Sequence, residues 1–349
     1  MADETKEKLR RILEESETGA PAVGKTVRDR FATDEIYQRV AAYGDYEFMT
    51  GRRELVFSGV AGGFAISVTL LLYVQSYAAF DGEPLVSHLL YPLGFMYIIL
   101  GGYQLYTENT LPPVVLVLER LASVPALGAI FGLVLLGNVV GAGFGTVLLY
   151  YGEVVDHDAA VTIGLTAVEE GWIQLFVKAI FAGLIVAGVV WMDFAAGDTI
   201  SRLVIIYLAF LSIPLAGLYH VVVSSTELLY LVLAGEYGLW PGIYGFLLPV
   251  LLGNTLGGIL LVTVVNYFQT TERRLKAVRD PTAVDPLSVR ETLFGGLVGR
   301  SYLPPDAVDE SESVETDGDG SNAEASSEEA QSDDGEHEDR ELVDGENGR

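Results

Sequence analysis

The sequence predicts an all-α membrane protein with six transmembrane helices. They form an inverted three-helix repeat whose second and fifth helices are broken. Three observations predict this. Between Leu55 and Phe268 lie several runs of about 20 apolar residues, the length that crosses a bilayer core of about 30 Å. The chain also repeats itself once: Leu136–Tyr151 reads LGNVVGAGFGTVLLYY and Leu252–Tyr267 reads LGNTLGGILLVTVVNY, 116 residues apart. Apolar repeats of this kind mark channels and transporters built from two related halves. Finally, Lys and Arg alternate between connections, which sets the direction of each span.

The spans follow in order. The first is Leu55–Phe80, and the second is Val86–Leu118, interrupted at Thr107–Asn109 and again by Pro112-Pro113. The third is Ala126–Tyr151. The fourth, Gly171–Met192, carries Lys178. The fifth is Ile200–Leu233, interrupted at His220–Ser225, and the sixth is Tyr244–Phe268. The second and fifth are too long for one straight crossing. Each has a polar patch at its middle, YTENT at 106–110 and HVVVSSTE at 220–227. Broken backbone at membrane depth survives only inside protein or beside a water-filled path. In repeat transporters such breaks form the substrate site.

Ten Lys and Arg precede residue 54, and Arg273, Arg274, Lys276 and Arg279 follow the sixth span. Arg120 and Arg202 lie on the same side, whereas Asp81–Ser87, Gly152–Glu170 and Ala234–Ile243 hold acids and no base. Both termini are therefore expected in the cytoplasm of a multi-pass plasma-membrane protein. With three spans per half, the halves enter from opposite sides.

Around the spans, residues 1–52 read as an amphipathic cytoplasmic region, with 53–270 the transmembrane domain and 271–305 a cytoplasmic juxtamembrane segment. Residues 306–349 read as a disordered acidic tail: Asp306 to Glu346 holds 18 of the 47 Asp and Glu residues. It has too little apolar surface to offset its ordering entropy. The net charge of −26 and pI near 4.3 suggest a halophilic source, where molar salt shortens the Debye length to roughly 3 Å. An acidic tail on an ordinary membrane protein would give a similar figure.

Cys is absent, which excludes disulfides and thiolate chemistry. No HExxH, GxSxG or GxxxxGK motif occurs, and no basic nucleic-acid patch. No enzyme, cofactor or metal site is expected. His220 is the single His deep within a span, His88 being read with the loop where the second span starts, and an ionisable group at that depth by default faces a pathway. The competing reading is a neutral His hydrogen-bonded at a helix interface. Ser224 and Glu227 share its helical face at i+4 and i+7. Glu108 and Lys178 are further charges in the spans, and Lys178 is expected to neutralise Glu108 or Glu227. A structural ion pair that holds the breaks in shape is the alternative role.

These residues resemble the formate/nitrite transporter family. Leu105-Tyr106-Thr107 matches its first-break Leu-Phe-Thr element, and Tyr219-His220 sits at the Glu-His of its second. Gly137-Asn138 and Gly253-Asn254 match the Gly-Asn that starts its third and sixth helices. The resemblance covers about residues 36–275. It implies an aquaporin-like protomer, a homopentamer in the lipid bilayer, and one path per protomer for a small monovalent anion or its neutral acid. In that family the central His lies between two hydrophobic constrictions and interacts with the anion, a role the resemblance implies for His220. The expected pathway residues are His220, Thr107, Leu105, Tyr106, Glu108, Asn109, Ser224, Glu227 and Lys178. The sequence also departs from the family. Its fourth-helix Lys falls at about Ala167, its central Asn falls near Gly183, and Glu108 follows the broken-helix Thr. A sensor or scaffold that kept the fold without conduction is the second reading.

Overall fold

The computed structural model describes residues 31, 33–269 and 286–297. The juxtamembrane residues up to 285 and the acidic tail lie outside the described residues. Every regular element described is helical: α1 Thr33–Met49, α2 Arg52–Ala79, α3 Pro84–His88, α4 Leu93–Gly101, α5 Pro112–Leu118 and α6 Val124–Tyr151. Then come α7 His157–Val168, α8 Trp172–Ala195, α9 Thr199–Leu215, α10 Val221–Ala234, α11 Leu239–Gln269 and α12 Val289–Phe294.

Five stretches are long and apolar enough to cross a membrane: α2, α3–α4 (Pro84–Gly101), α6, α8 and α11. The half-helices α9 and α10 make up the remaining predicted span, and α5 completes the second. Outer faces stay apolar, as lipid-facing surfaces must. Leu136, Val140 and Phe144 on α6 and Ile173, Val177 and Phe181 on α8 are all exposed.

The repeat is visible in the packing. In the first half α2 runs along α6, and in the second α8 runs along α11. Glycines set both contacts. A Cβ on Gly63 would meet the Asn138 carbonyl oxygen at 2.0 Å, and one on Gly183 would meet that of Asn254 at 2.2 Å. A Cβ on Gly141 or Gly257 would come equally close to the Val60 or Ile180 carbonyl oxygen, at 1.9 and 2.0 Å. No side chain fits there, so the helix axes approach to backbone contact.

Both breaks open alike. The half-helix α4 ends at Gly102, φ +68°, and α9 ends before Gly217, φ +62°, 115 residues on. These left-handed glycines let Tyr103 N reach back to Ile98 O at 3.0 Å and Leu218 N to Ile213 O at 2.9 Å. Pro112 then starts α5, where a missing N–H costs nothing.

Two readings are corrected. Gly152–Glu170, taken as a loop, contains the twelve-residue helix α7, capped by the Asp156 side chain on Ala159 N. Its Ala and Gly residues bury against α10, with Gly164 against Leu231. Gly137-Asn138 and Gly253-Asn254 lie mid-helix in α6 and α11 and do not start them. The sixth span has π turns at Ile243–Leu247 and Gly257–Val264. Pro249 removes a backbone donor just after the first, and the second admits Thr110, whose Oγ1 lies 2.1 Å from a Cβ built on Gly258. The helix α1 packs onto the spans with an apolar face. Its Ile36, Tyr37, Val40 and Ala41 bury against Leu111, Val115 and Ala187, and Gly44 abuts the Pro112 carbonyl.

Candidate functional site

Each broken strand of backbone is held by one asparagine of the repeated LGN. Asn138 Oδ1 accepts from Tyr106 N at 2.8 Å. Its Nδ2 donates to Gly59 O and Gln104 O at 2.8 and 2.9 Å. Asn254 does the same for the second break. Its Oδ1 accepts from Val221 N at 2.9 Å, and its Nδ2 donates to Ala179 O and Tyr219 O at 2.8 and 2.9 Å. The breaks free backbone groups at a depth without water; each buried amide satisfies two of them and ties them to a carbonyl of the neighbouring long helix.

The clamped breaks meet at the centre. His220, the N-cap of α10, puts Nε2 2.8 Å from Thr107 Oγ1. Phe95 stands edge-on to the His220 ring, with centroids 4.9 Å apart. Phe95 also stacks on Phe210, 4.0 Å away and 14° from parallel. These two phenylalanines are again 115 residues apart, so they are repeat equivalents that meet face to face. His220, Thr107, Phe95 and Phe210 are all buried. Together they form an apolar layer with one hydrogen bond bridging the halves.

A cavity lies on each side of this layer. That on the α7 face, about 300 Å³, is lined by His220, Ser224, Glu227, His88, Glu170 and Tyr219 among others. That on the α1 face, about 280 Å³, is lined by Glu47, Gln104, Glu108, Asn109, Asp193 and Arg202 among others. Within it the Asn109 amide hydrogen-bonds that of Gln104 at 2.8 Å. Burial pushes the Glu47 carboxyl of α1 up to about 8, partly offset by its hydrogen bond to Gln104.

The structure sorts the predicted residues. His220, Ser224 and Glu227 line the α7-face cavity, whereas Glu108 and Asn109 line the other. Thr107 lies between them, bonded to His220. Leu105 and Tyr106 are buried but line neither cavity: Tyr106 OH reaches Thr255 Oγ1 at 2.7 Å, and its ring packs on Phe131. Lys178 corrects the expected pairing. Its Nζ binds Glu170 Oε1 and lies 5.6 Å from the Tyr219 ring centroid, so it meets neither Glu108 nor Glu227. The reason is geometric. Glu170 sits just before α8, and the lysine stem folds back toward that end to bring its charge out. Gly183, taken as the place of a pathway Asn, belongs to the α8–α11 contact. Ala167 lines the α7-face cavity and is buried.

Several members escaped sequence reading. The Asn138 and Asn254 clamps were visible as a repeat, but their role needs knowledge of which carbonyls face them. The 115-residue spacing of Gly102 with Gly217 and of Phe95 with Phe210 was available and unused. His88, placed in a loop, lines a cavity and lies 3.3 Å from Tyr73 OH. Glu47 and the Asp193–Arg202 pair, at 2.6 and 2.8 Å, are set by tertiary contacts alone.

An inverted helical repeat, two clamped breaks and a cavity on either side of a closed central layer define a membrane channel or transporter, not an enzyme. The chain belongs to the formate/nitrite transporter family, whose profile matches residues 34–268. It is 32% identical over 242 residues to the inner membrane protein YfdC of Escherichia coli strain K12, across 67% of this chain and 77% of that protein. Two solved structures share the fold. One is an FNT family ion channel, with TM-score 0.61 and 22% identity over 68% of this chain and 99% of that one. The other is a pentameric formate channel with formate bound, with TM-score 0.53 and 16% identity over 62% and 97%. The protein is thus a multi-pass membrane protein of a family of transporters and channels.

Proposed function

We propose that the chain conducts a small monovalent weak-acid anion, or its neutral acid, between the two cavities past His220. One observation carries this: the Thr107–His220 hydrogen bond joins the two helix breaks at 2.8 Å, in the layer that separates the cavities. Half-helix α10 starts just after its N-cap His220, so the positive end of its dipole lies beside that layer, which favours negative charge. The protomers assemble as a homopentamer with both termini cytoplasmic, in keeping with the Lys and Arg distribution.

The test is flux into proteoliposomes of formate, nitrite, acetate, lactate, hydrosulfide and chloride. His220→Asn removes the titratable ring and keeps a polar side chain. Uptake should then lose its pH dependence, with assembly unchanged and His157→Asn without effect. Wild-type rate and pH profile in His220→Asn would make the residue structural. A tag after Arg279 should react only from the cytoplasm, and labelling from outside intact cells would invert the topology.

The sensor or scaffold reading has one specific observation in its favour. Both cavities carry carboxylates that have no cationic partner among the described residues, which oppose an anion. Absence of flux for every anion tested would select it.

A further inference from the structure

The cation inventory of the α7-face cavity does not balance. Its carboxylates are Glu170 and Glu227, and its imidazoles are His88 and His220. Lys178 is consumed by Glu170, which also accepts from Tyr219 OH at 2.9 Å. Glu227 keeps no such partner. It is 8% exposed, and among the described residues no group hydrogen-bonds its Oε2. Ser224 Oγ and His220 Nδ1, each on a residue 1% exposed, are likewise unpartnered. All three residues line the same cavity and follow one another at i, i+4 and i+7 along α10. Ser224 and Glu227 are one turn apart, a rise of about 4.5 Å.

Such a row has acceptors in excess. A carboxylate accepts only, a serine hydroxyl has two acceptor lone pairs, and imidazole Nδ1 accepts when Nε2 carries the proton toward Thr107. The rest of the wall is aromatic: Tyr73, Tyr77, Tyr91 and Tyr219 line the cavity. This wall already attracts one cation, since Lys178 Nζ lies 5.6 Å from the Tyr219 centroid. A buried carboxylate beside aromatic rings and hydroxyl acceptors is chemistry for a positive hydrogen-bond donor.

We propose that the α7-face cavity binds an ammonium-type monovalent cation, held by Glu227 and Ser224 within the tyrosine wall. The ammonium N–H groups donate to the Glu227 carboxylate and Ser224 Oγ, and the charge sits against the rings. The space of about 300 Å³ holds such an ion together with water. A divalent or transition metal is the wrong ligand: among the described residues no three His, Cys, Asp or Glu come together to hold one. A proton on Glu227 would cancel its charge and leave Ser224 and the aromatic wall without a ligand. The site stands whether or not an anion crosses the central layer.

The test is equilibrium binding of radiolabelled methylammonium to the purified full-length protein, at fixed pH and fixed sodium chloride. Wild type should bind saturably, one ion per chain. Ammonium should compete, and tetrabutylammonium, which has no N–H to donate to Glu227 and Ser224, should not. Glu227→Gln should weaken binding at least 10-fold, and Glu227→Asp should retain it at reduced affinity. Glu108→Gln, in the other cavity, should leave it unchanged. No saturable binding in the wild type overturns the proposal, whether or not the protein moves formate. So does equal binding in wild type and Glu227→Gln. Should Glu227→Gln fail to assemble, the wild-type competition series decides alone: displacement by tetrabutylammonium as effective as by ammonium would refute the site.

Discussion

Replacing Asn254 by Ala tests the clamp that shapes the second break. The change deletes one acceptor and one amino group. It strands Val221 N and Tyr219 O, both now bonded at 2.9 Å, and it removes a tie to Ala179 O, which keeps its own bond inside α8. A buried backbone group left unpaired costs about 1–3 kcal/mol. Some relaxation is expected, so two stranded groups give a loss on the order of 3 kcal/mol. At about 2–4 °C per kcal/mol for a domain of this size, the unfolding midpoint should fall by about 6–12 °C. Asn138→Ala should behave alike, because Tyr106 N and Gln104 O are stranded in the same way. Thr162→Ala, on the exposed side of α7, is the control and should shift it little, since Thr162 only back-bonds Asp158 O. The assay is thermal unfolding of detergent-purified protein, followed by tryptophan fluorescence and by retention of the oligomer on size exclusion. A shift below about 2 °C in both variants would refute the argument that these amides hold the breaks.

Three further outcomes follow from the same geometry. Gly183→Asn places a side chain where even Cβ meets the Asn254 carbonyl at 2.2 Å. It should therefore abolish assembly in gel filtration, whereas a pathway position would tolerate it. Glu47 has a carboxyl raised to about 8, so the folded state keeps a proton that the unfolded chain has lost. Stability should then fall as pH rises from about 4.5 toward 8, by a few kcal/mol at most, with Glu47→Gln flattening a melting series over that window. Lys178→Met strands Glu170 and should destabilise the protein measurably, and Lys178→Met with Glu170→Gln should recover most of the loss; no recovery would mean the pair is not coupled.

The sequence by itself determined the class. Runs of about 20 apolar residues admit a helical membrane protein. The LGN repeat at 116 residues determined the two-half plan, and the polar patches within the second and fifth spans located the breaks. These features are legible because they are local: length, period and composition act along the chain. His220 and Thr107 could be named for the same reason, since each lies in a break. Their approach to 2.8 Å could not, because it depends on how two half-helices end against each other. Tertiary structure decided the partner of every charge. Lys178 bonds Glu170 and not Glu108 or Glu227 because a long flexible stem reaches whichever carboxylate its helix turns toward. It also decided that Glu47 of α1 reaches a cavity beside Glu108, two residues 61 apart in sequence. Gly183 likewise reads as a missing pathway residue in the sequence and as a helix contact in the fold. Coulomb and packing energies depend on distances through space, and a linear pattern records only distances along the chain.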